Sequence, residues 1–152
     1  MAKPAVFLDS SVIIASLLSA KGGSFYILSN LKDDFELQTN EYGLAEIQRI
    51  LKNKFAGQPA LLIQLFLILG TARITILPNP SKKEESRAAE YISAIDAPIL
   101  ASALSYSDYL VTLDNEFYKA EIMDLAKKKL LAVLKPKEFI EKHRAGIGQE
   151  DY

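Results

Sequence analysis

The chain has 152 residues, about half of them apolar, which is enough for a globular unit with a proper core. It has no cysteine, which excludes a disulfide framework and a thiolate metal site, and its single histidine directs any metal chemistry toward oxygen ligands and so toward Mg²⁺ or Mn²⁺. The formal net charge of −1 excludes a polycation that coats nucleic acid, yet setting aside a few clustered acids would leave a modest basic surface around an acidic hole.

Taken in order, Met1-Ala2-Lys3-Pro4 runs straight into the apolar strand 5–8, with no secretory pattern, and a cytoplasmic protein is expected. That strand stops at Asp9-Ser10-Ser11, and a helical pattern follows over 12–18. Asp9 or Ser10 would serve there as a helix cap. Lys21-Gly22-Gly23-Ser24 breaks the chain before a second helix over 25–32, with Ser24 expected to cap it. A short strand over 35–39 leads to Thr39 or Asn40 as the cap of a third helix reaching Leu51, with Leu44, Ile47 and Leu51 on its apolar face and Glu46 beside that face. The stretch 60–69 is apolar nearly all round and too short to span a membrane, so it is either deeply buried or a homodimer contact.

A third strand is expected over 73–77 and a polar helix over 82–92. Asp96 followed by Pro98 marks a helix start, with Asp96 as its cap. A strand over 109–112 again ends at an acid, Asp114, which could itself be a cap. The last strand falls at 131–134, followed by a short helix from Pro136, and His143 is expected at the surface. Residues 1–144 are read as a single domain and 145–152 as a loose tail. Alternating strands and helices predict an α/β fold, a three-layer α/β/α sandwich with a largely parallel sheet of four or five strands.

In such a sheet Asp9 and Asp114 reach the same edge, Asp96 opens a helix whose N-terminus points to that rim, and Glu46 lies about two turns into the helix after the second strand. Four carboxylates meeting there repel one another unless a cation occupies the site. A divalent ion in a ring of oxygens lowers the pKa of water and stabilises displacement at phosphorus, so the chemistry implied is phosphodiester hydrolysis.

Leu8-Asp9-Ser10-Ser11, Glu46 within 44–51, Asp96-Ala97-Pro98 opening 96–104, and the run 109–117 together resemble the PIN domain, a metal-dependent ribonuclease fold used by many prokaryotic toxins. The resemblance spans about residues 5–140, and four motifs in this order are more specific than any one alone. It implies that Asp9, Glu46, Asp96 and Asp114 are the catalytic, metal-holding quartet for one or two Mg²⁺ or Mn²⁺ ions. It makes Ser10, Thr112 and Glu116 supporting polar residues, although Thr112 also suits an ordinary strand position and Glu116 a solvated first-turn acid. Leu113 stands where the family often has glycine and Ala97 where it often has a further acid, departures that bear on a second ion. Arg49, Lys52 and Lys54 downstream of Glu46 are candidate RNA-backbone contacts. The expected activity is a metal-dependent endoribonuclease, with RNA as substrate, an antitoxin protein as partner and a homodimer as assembly. The alternatives are a non-catalytic PIN-like interaction module and an α/β phosphatase or receiver-type acid site. The latter is disfavoured because Ser11 stands where a phosphatase needs a second Asp and because Leu8-Asp9-Ser10 lacks a receiver's adjacent acids.

Overall fold

A computed structural model describes residues 2–144; the tail expected at 145–152 lies outside the described residues. The elements run β1 (Ala5–Leu8), α1 (Ser10–Leu18), α2 (Gly23–Asn30), β2 (Glu36–Asn40), α3 (Glu41–Lys54), α4 (Ala60–Thr71), β3 (Thr75–Leu77), α5 (Lys82–Ala88), α6 (Ala97–Tyr106), β4 (Tyr109–Val111), a 3₁₀ turn (Asn115–Tyr118), α7 (Ala120–Lys128), β5 (Ala132–Leu134) and α8 (Pro136–Arg144). The strands form one sheet in the order β3-β2-β1-β4-β5, and every neighbouring pair is parallel. β1 lies at the centre and is buried along its whole length, which is why it reads as an unbroken apolar run.

The strand alternation divides the core in two. Val6, Leu8, Leu37 and Val111 point to the face covered by α1, α2, α3, α4 and α8. Phe7, Leu110 and Val133 point to the face covered by α5, α6 and α7. The result is the expected three-layer α/β/α sandwich. Because the chain places β2 and β3 on one side of β1 and β4 and β5 on the other, the switch of direction falls between β1 and β4, where open sheets leave a ligand crevice.

Several expectations are corrected. α1 starts at Ser10, because Asp9 itself is the N-cap. Gly22, not Ser24, stands at the N-cap of α2, and Ser24 is buried inside that helix. Asn40, not Thr39, caps α3, its side-chain oxygen accepting from Gly43 N at 2.8 Å. The third strand begins at Thr75, because Arg73 turns with φ 53° to close the helix before it. α5, opened by a capping box between Ser81 and Glu84, ends at Ala88, and the following turns carry Ile92 back to the core. α7 is unforeseen in the sequence reading; it buries Ile122 and Ala126 under a polar surface.

His143 is not a surface residue. Its ring is half-buried and packs 4.4 Å from Phe139, 4.6 Å from Phe35 and 5.2 Å from Tyr109 between ring centres. Burial, with Lys142 nearby, holds its pKa below the ordinary value. Deep burial of the apolar stretch 60–69 is also overturned. In α4 only Leu61 and Leu65 are buried, while Ile63, Phe66 and Leu67 are each more than half exposed. Among the described residues no single helix is long and apolar enough to cross a membrane.

Candidate functional site

The carboxyl rim is assembled where β1 and β4 end. Leu8 pairs with Val111, so the next residues, Asp9 and Thr112, leave the sheet side by side. Asp9 continues the ladder by donating its N–H to the Val111 carbonyl at 3.1 Å. Its carboxylate then collects three donors. Oδ1 accepts from Ser10 N at 2.8 Å, and Oδ2 accepts from Ser11 Oγ at 2.9 Å and Thr112 Oγ1 at 2.7 Å. Asp9 therefore caps α1 and faces the rim with the same group, while the hydroxyls of Ser10 and Ser11 are engaged across the rim.

Ser11 and Thr112 tie this carboxylate to the loop bearing Asp114. Ser11 Oγ accepts from Leu113 N at 3.2 Å, and Thr112 Oγ1 accepts from Asp114 N at 3.0 Å. Asp114 then caps the 3₁₀ turn by accepting from Glu116 N at 3.0 Å. Thr112 is fully buried, so its hydroxyl is a fixed bridge between the two acid-bearing segments. Ser11 escaped the sequence reading as a site residue, since a hydroxyl in the first turn of a helix looks like capping chemistry.

Glu46 arrives from the middle of α3. Ser10 Oγ donates to its Oε1, and the Arg49 guanidinium stands 3.9 Å from Oε2. Asp96 stands at the start of α6 but makes no side-chain capping bond; Ser93 Oγ donates to its Oδ2 at 3.2 Å. Two further contacts, neither foreseen, hold the α6 start against α3. Asn40 Nδ2 donates to the Pro98 carbonyl at 3.1 Å, and Tyr42 OH donates to the Ile95 carbonyl at 2.7 Å.

All four acids line one open cleft of about 490 Å³, together with Ser10, Ser11 and Lys54. Burial raises the Asp9 pKa, and the Glu46 charge adds to it, against the lowering effect of the Thr112 and Ser11 hydrogen bonds. Asp96 is pushed up to about 6, first by burial and then by the Asp114, Asp9 and Glu46 charges. A carboxyl that feels three others is chemically suited to a divalent cation, and the available donors are all hard oxygens. Among the described residues, however, no three acid or histidine side chains close into a finished ligating group, so the acids share a cleft without being drawn together.

The remaining candidates are distributed differently. Glu116 is half exposed and pairs with Lys119 at 2.6 Å, outside the lining of the cleft. Arg49 and Lys52 line a neighbouring groove instead. Leu113 is exposed and Ala97 fully buried.

A sequence profile of the PIN domain matches residues 6–123. The chain belongs to the PIN domain family. No curated protein sequence matches it. Among solved structures, this PIN domain is similar to PAE2754 from Pyrobaculum aerophilum, with a TM-score of 0.68 at 16% identity over 93% of this chain and 96% of that one. It is also similar to VapBC2 from Rickettsia felis, solved bound to a DNA fragment from their promoter, with a TM-score of 0.63 at 18% identity over 86% of this chain and 98% of that one. At these identities the likeness is one of fold.

Proposed function

We propose that the protein is a Mg²⁺- or Mn²⁺-dependent endoribonuclease, the toxin half of a toxin–antitoxin pair. The observation that carries this reading is the cleft into which Asp9, Glu46, Asp96 and Asp114 open from four separate segments at the switch point of the sheet. These four residues would hold the metal, one or two ions, which when bound supplies an activated water and offsets charge on the phosphodiester. Asp9 is the fixed member, because three hydrogen bonds leave its carboxylate one orientation. Ser11 and Thr112 set that orientation, and Ser10 steadies Glu46. Lys54, in the same cleft, and Arg49 and Lys52 beside it contact the RNA backbone, which positions the strand without reading its sequence.

An antitoxin protein is the proposed partner; the fold likeness to VapBC2 supports it. A homodimer is proposed as the assembly, supported by the exposed apolar side of α4. The cytoplasm is the proposed location, on the cysteine-free composition. The test is hydrolysis of single-stranded RNA with Mn²⁺ by the wild type and by Asp9→Asn. Cleavage should fall at least about a hundredfold in the variant, because changes around a metal ligand already cost 10–100-fold. Equal cleavage by both proteins sinks the assignment of Asp9. A second reading, a non-catalytic interaction module, is favoured by the open α4 face. It requires that calorimetry with Mn²⁺ show no saturable heat.

A further inference from the structure

The C-terminal turn of α3 is shared by two depressions of opposite character. Phe55, the C-cap residue of that helix, lines the acidic cleft and also a second groove of about 640 Å³, which runs between the last turns of α3 and the first turn of α4. The acidic cleft gathers four carboxylates. The groove beyond Phe55 has none among the described residues that line it, and carries Arg49 and Lys52 instead, with the amides of Gln48 and Asn53 and the apolar Leu62. Among the described residues no carboxylate stands within ion-pair distance of Lys52, so its ammonium is available to an outside anion.

The lining matches one nucleotide in kind. Two cations suit a phosphate, an aromatic ring and an aliphatic wall suit a base face, and the amides of Gln48, Asn53 and Gln58 suit the hydrogen-bonding edge of a base. The volume is in the range of small-ligand sites. A base must leave its stack to enter such a groove, which restricts the occupant to a single strand. We infer that this groove is a nucleotide subsite, holding the base and phosphate next to the scissile phosphate of a single-stranded RNA, with Phe55 as its stacking wall. The inference rests on the nuclease reading for what lies in the neighbouring cleft, and on the groove's own lining for the occupant. An acidic peptide would satisfy the two cations and its backbone the amides, but it brings no flat base to the ring, and a poly-glutamate peptide is therefore the competing occupant in the test.

The test is fluorescence anisotropy of a short labelled single-stranded RNA in EDTA, with wild type, Phe55→Leu and the double variant Arg49→Gln/Lys52→Gln. The leucine keeps the apolar contact of Phe55 with the core, and the other two positions are exposed, so both proteins should fold. Each should bind about tenfold more weakly than wild type. In the double variant the slope of log affinity against log salt should flatten by about 0.7, the value for one phosphate. An abasic nucleotide walked along the RNA should weaken wild-type binding at one position and cost Phe55→Leu less there, since only the stacking share is already lost. RNA affinities equal in all three proteins would overturn the subsite. So would an abasic penalty as large in Phe55→Leu as in wild type, or a poly-glutamate peptide that loses binding in the double variant while RNA does not. RNA bound through the groove but left uncut with Mn²⁺ overturns the nuclease reading and leaves the groove as a single-strand site; cutting at the same affinity and rate in all three proteins overturns the groove alone.

Discussion

The carboxyl rim has two halves built on different principles. On the β1–β4 side, Asp9 and Asp114 are held by a lattice of short hydrogen bonds through Ser11 and Thr112, closed by backbone N–H groups of the same loop. On the α3–α6 side, Glu46 and Asp96 stand on helices, each steadied by one serine, and their spacing depends on the Asn40 and Tyr42 bridges between the helices. The first half is fixed by the sheet itself. The second is set by the packing of two helices, through the Asn40 and Tyr42 hydrogen bonds between them.

This difference is best broken at Thr112. Thr112→Val removes the bridge and leaves the Asp114 N–H and the buried Asp9 Oδ2 each short of a partner. Mn²⁺ affinity by calorimetry should fall 10–100-fold, and denaturant unfolding should show a loss of about 1–3 kcal/mol. An affinity within twofold of wild type would mean that the lattice does not organise the site.

The helix-borne half should announce itself in pH dependence. The Asp96 carboxyl is raised from 3.8 to about 6, so between those values the folded protein holds a proton that the unfolded chain has lost. Its contribution to stability is complete below the lower value and is lost as the pH rises through about 6. In EDTA, Tm should therefore decline from about pH 4 to about pH 6 more steeply in wild type than in Asp96→Asn. Mn²⁺ affinity should rise over the same window, because the ion and the proton compete for the same carboxylates. Parallel Tm profiles for the two proteins would refute the link.

A smaller effect should follow from Gly43→Ala. A Cβ at that position would stand 2.7 Å from Thr39 Oγ1 and 3.3 Å from Asn40 Oδ1, pressing on the cap that joins α3 to β2. Overpacking of this kind costs about 1–3 kcal/mol, of which the gain in helix propensity returns about 1. The midpoint of urea unfolding should shift down accordingly; an unchanged or raised midpoint would show that the junction yields. The smallest effect belongs to Glu116→Gln, which breaks only an exposed pair with Lys119. Stability should change by less than about 0.5 kcal/mol and RNA cleavage should stay within twofold of wild type. A larger loss of cleavage would bring Glu116 into the site.

The sequence by itself determined the fold class and the segments of the rim. The central strand is buried on both faces and so is written as an unbroken apolar run, and an acid directly after such a run has few places to go but the sheet edge. Glu46 was legible because it interrupts a helix beside its apolar stripe, and Asp96 because Pro98 marks a helix start even though the carboxylate makes no cap. The weaker signals failed for local reasons. Strand three lost its first residues to the left-handed turn at Arg73, and α7 buries only Ile122 and Ala126, too few to write an apolar stripe between the strands. His143 was misjudged because two of the rings around it, Phe35 and Tyr109, come from segments far away in the chain.

Only the tertiary structure decided which hydrogen bonds the rim makes, that Asp9 serves as cap and rim acid together, and which side of α4 stays open. It also parted Lys54 from Arg49 and Lys52, sending neighbours on one helix into two different depressions. Periodicity reports which residues face inward, since burial of apolar area acts locally along the chain. It does not report what meets them there, because those contacts join segments as far apart as Asp9 and Thr112 and exist only once the sheet has formed.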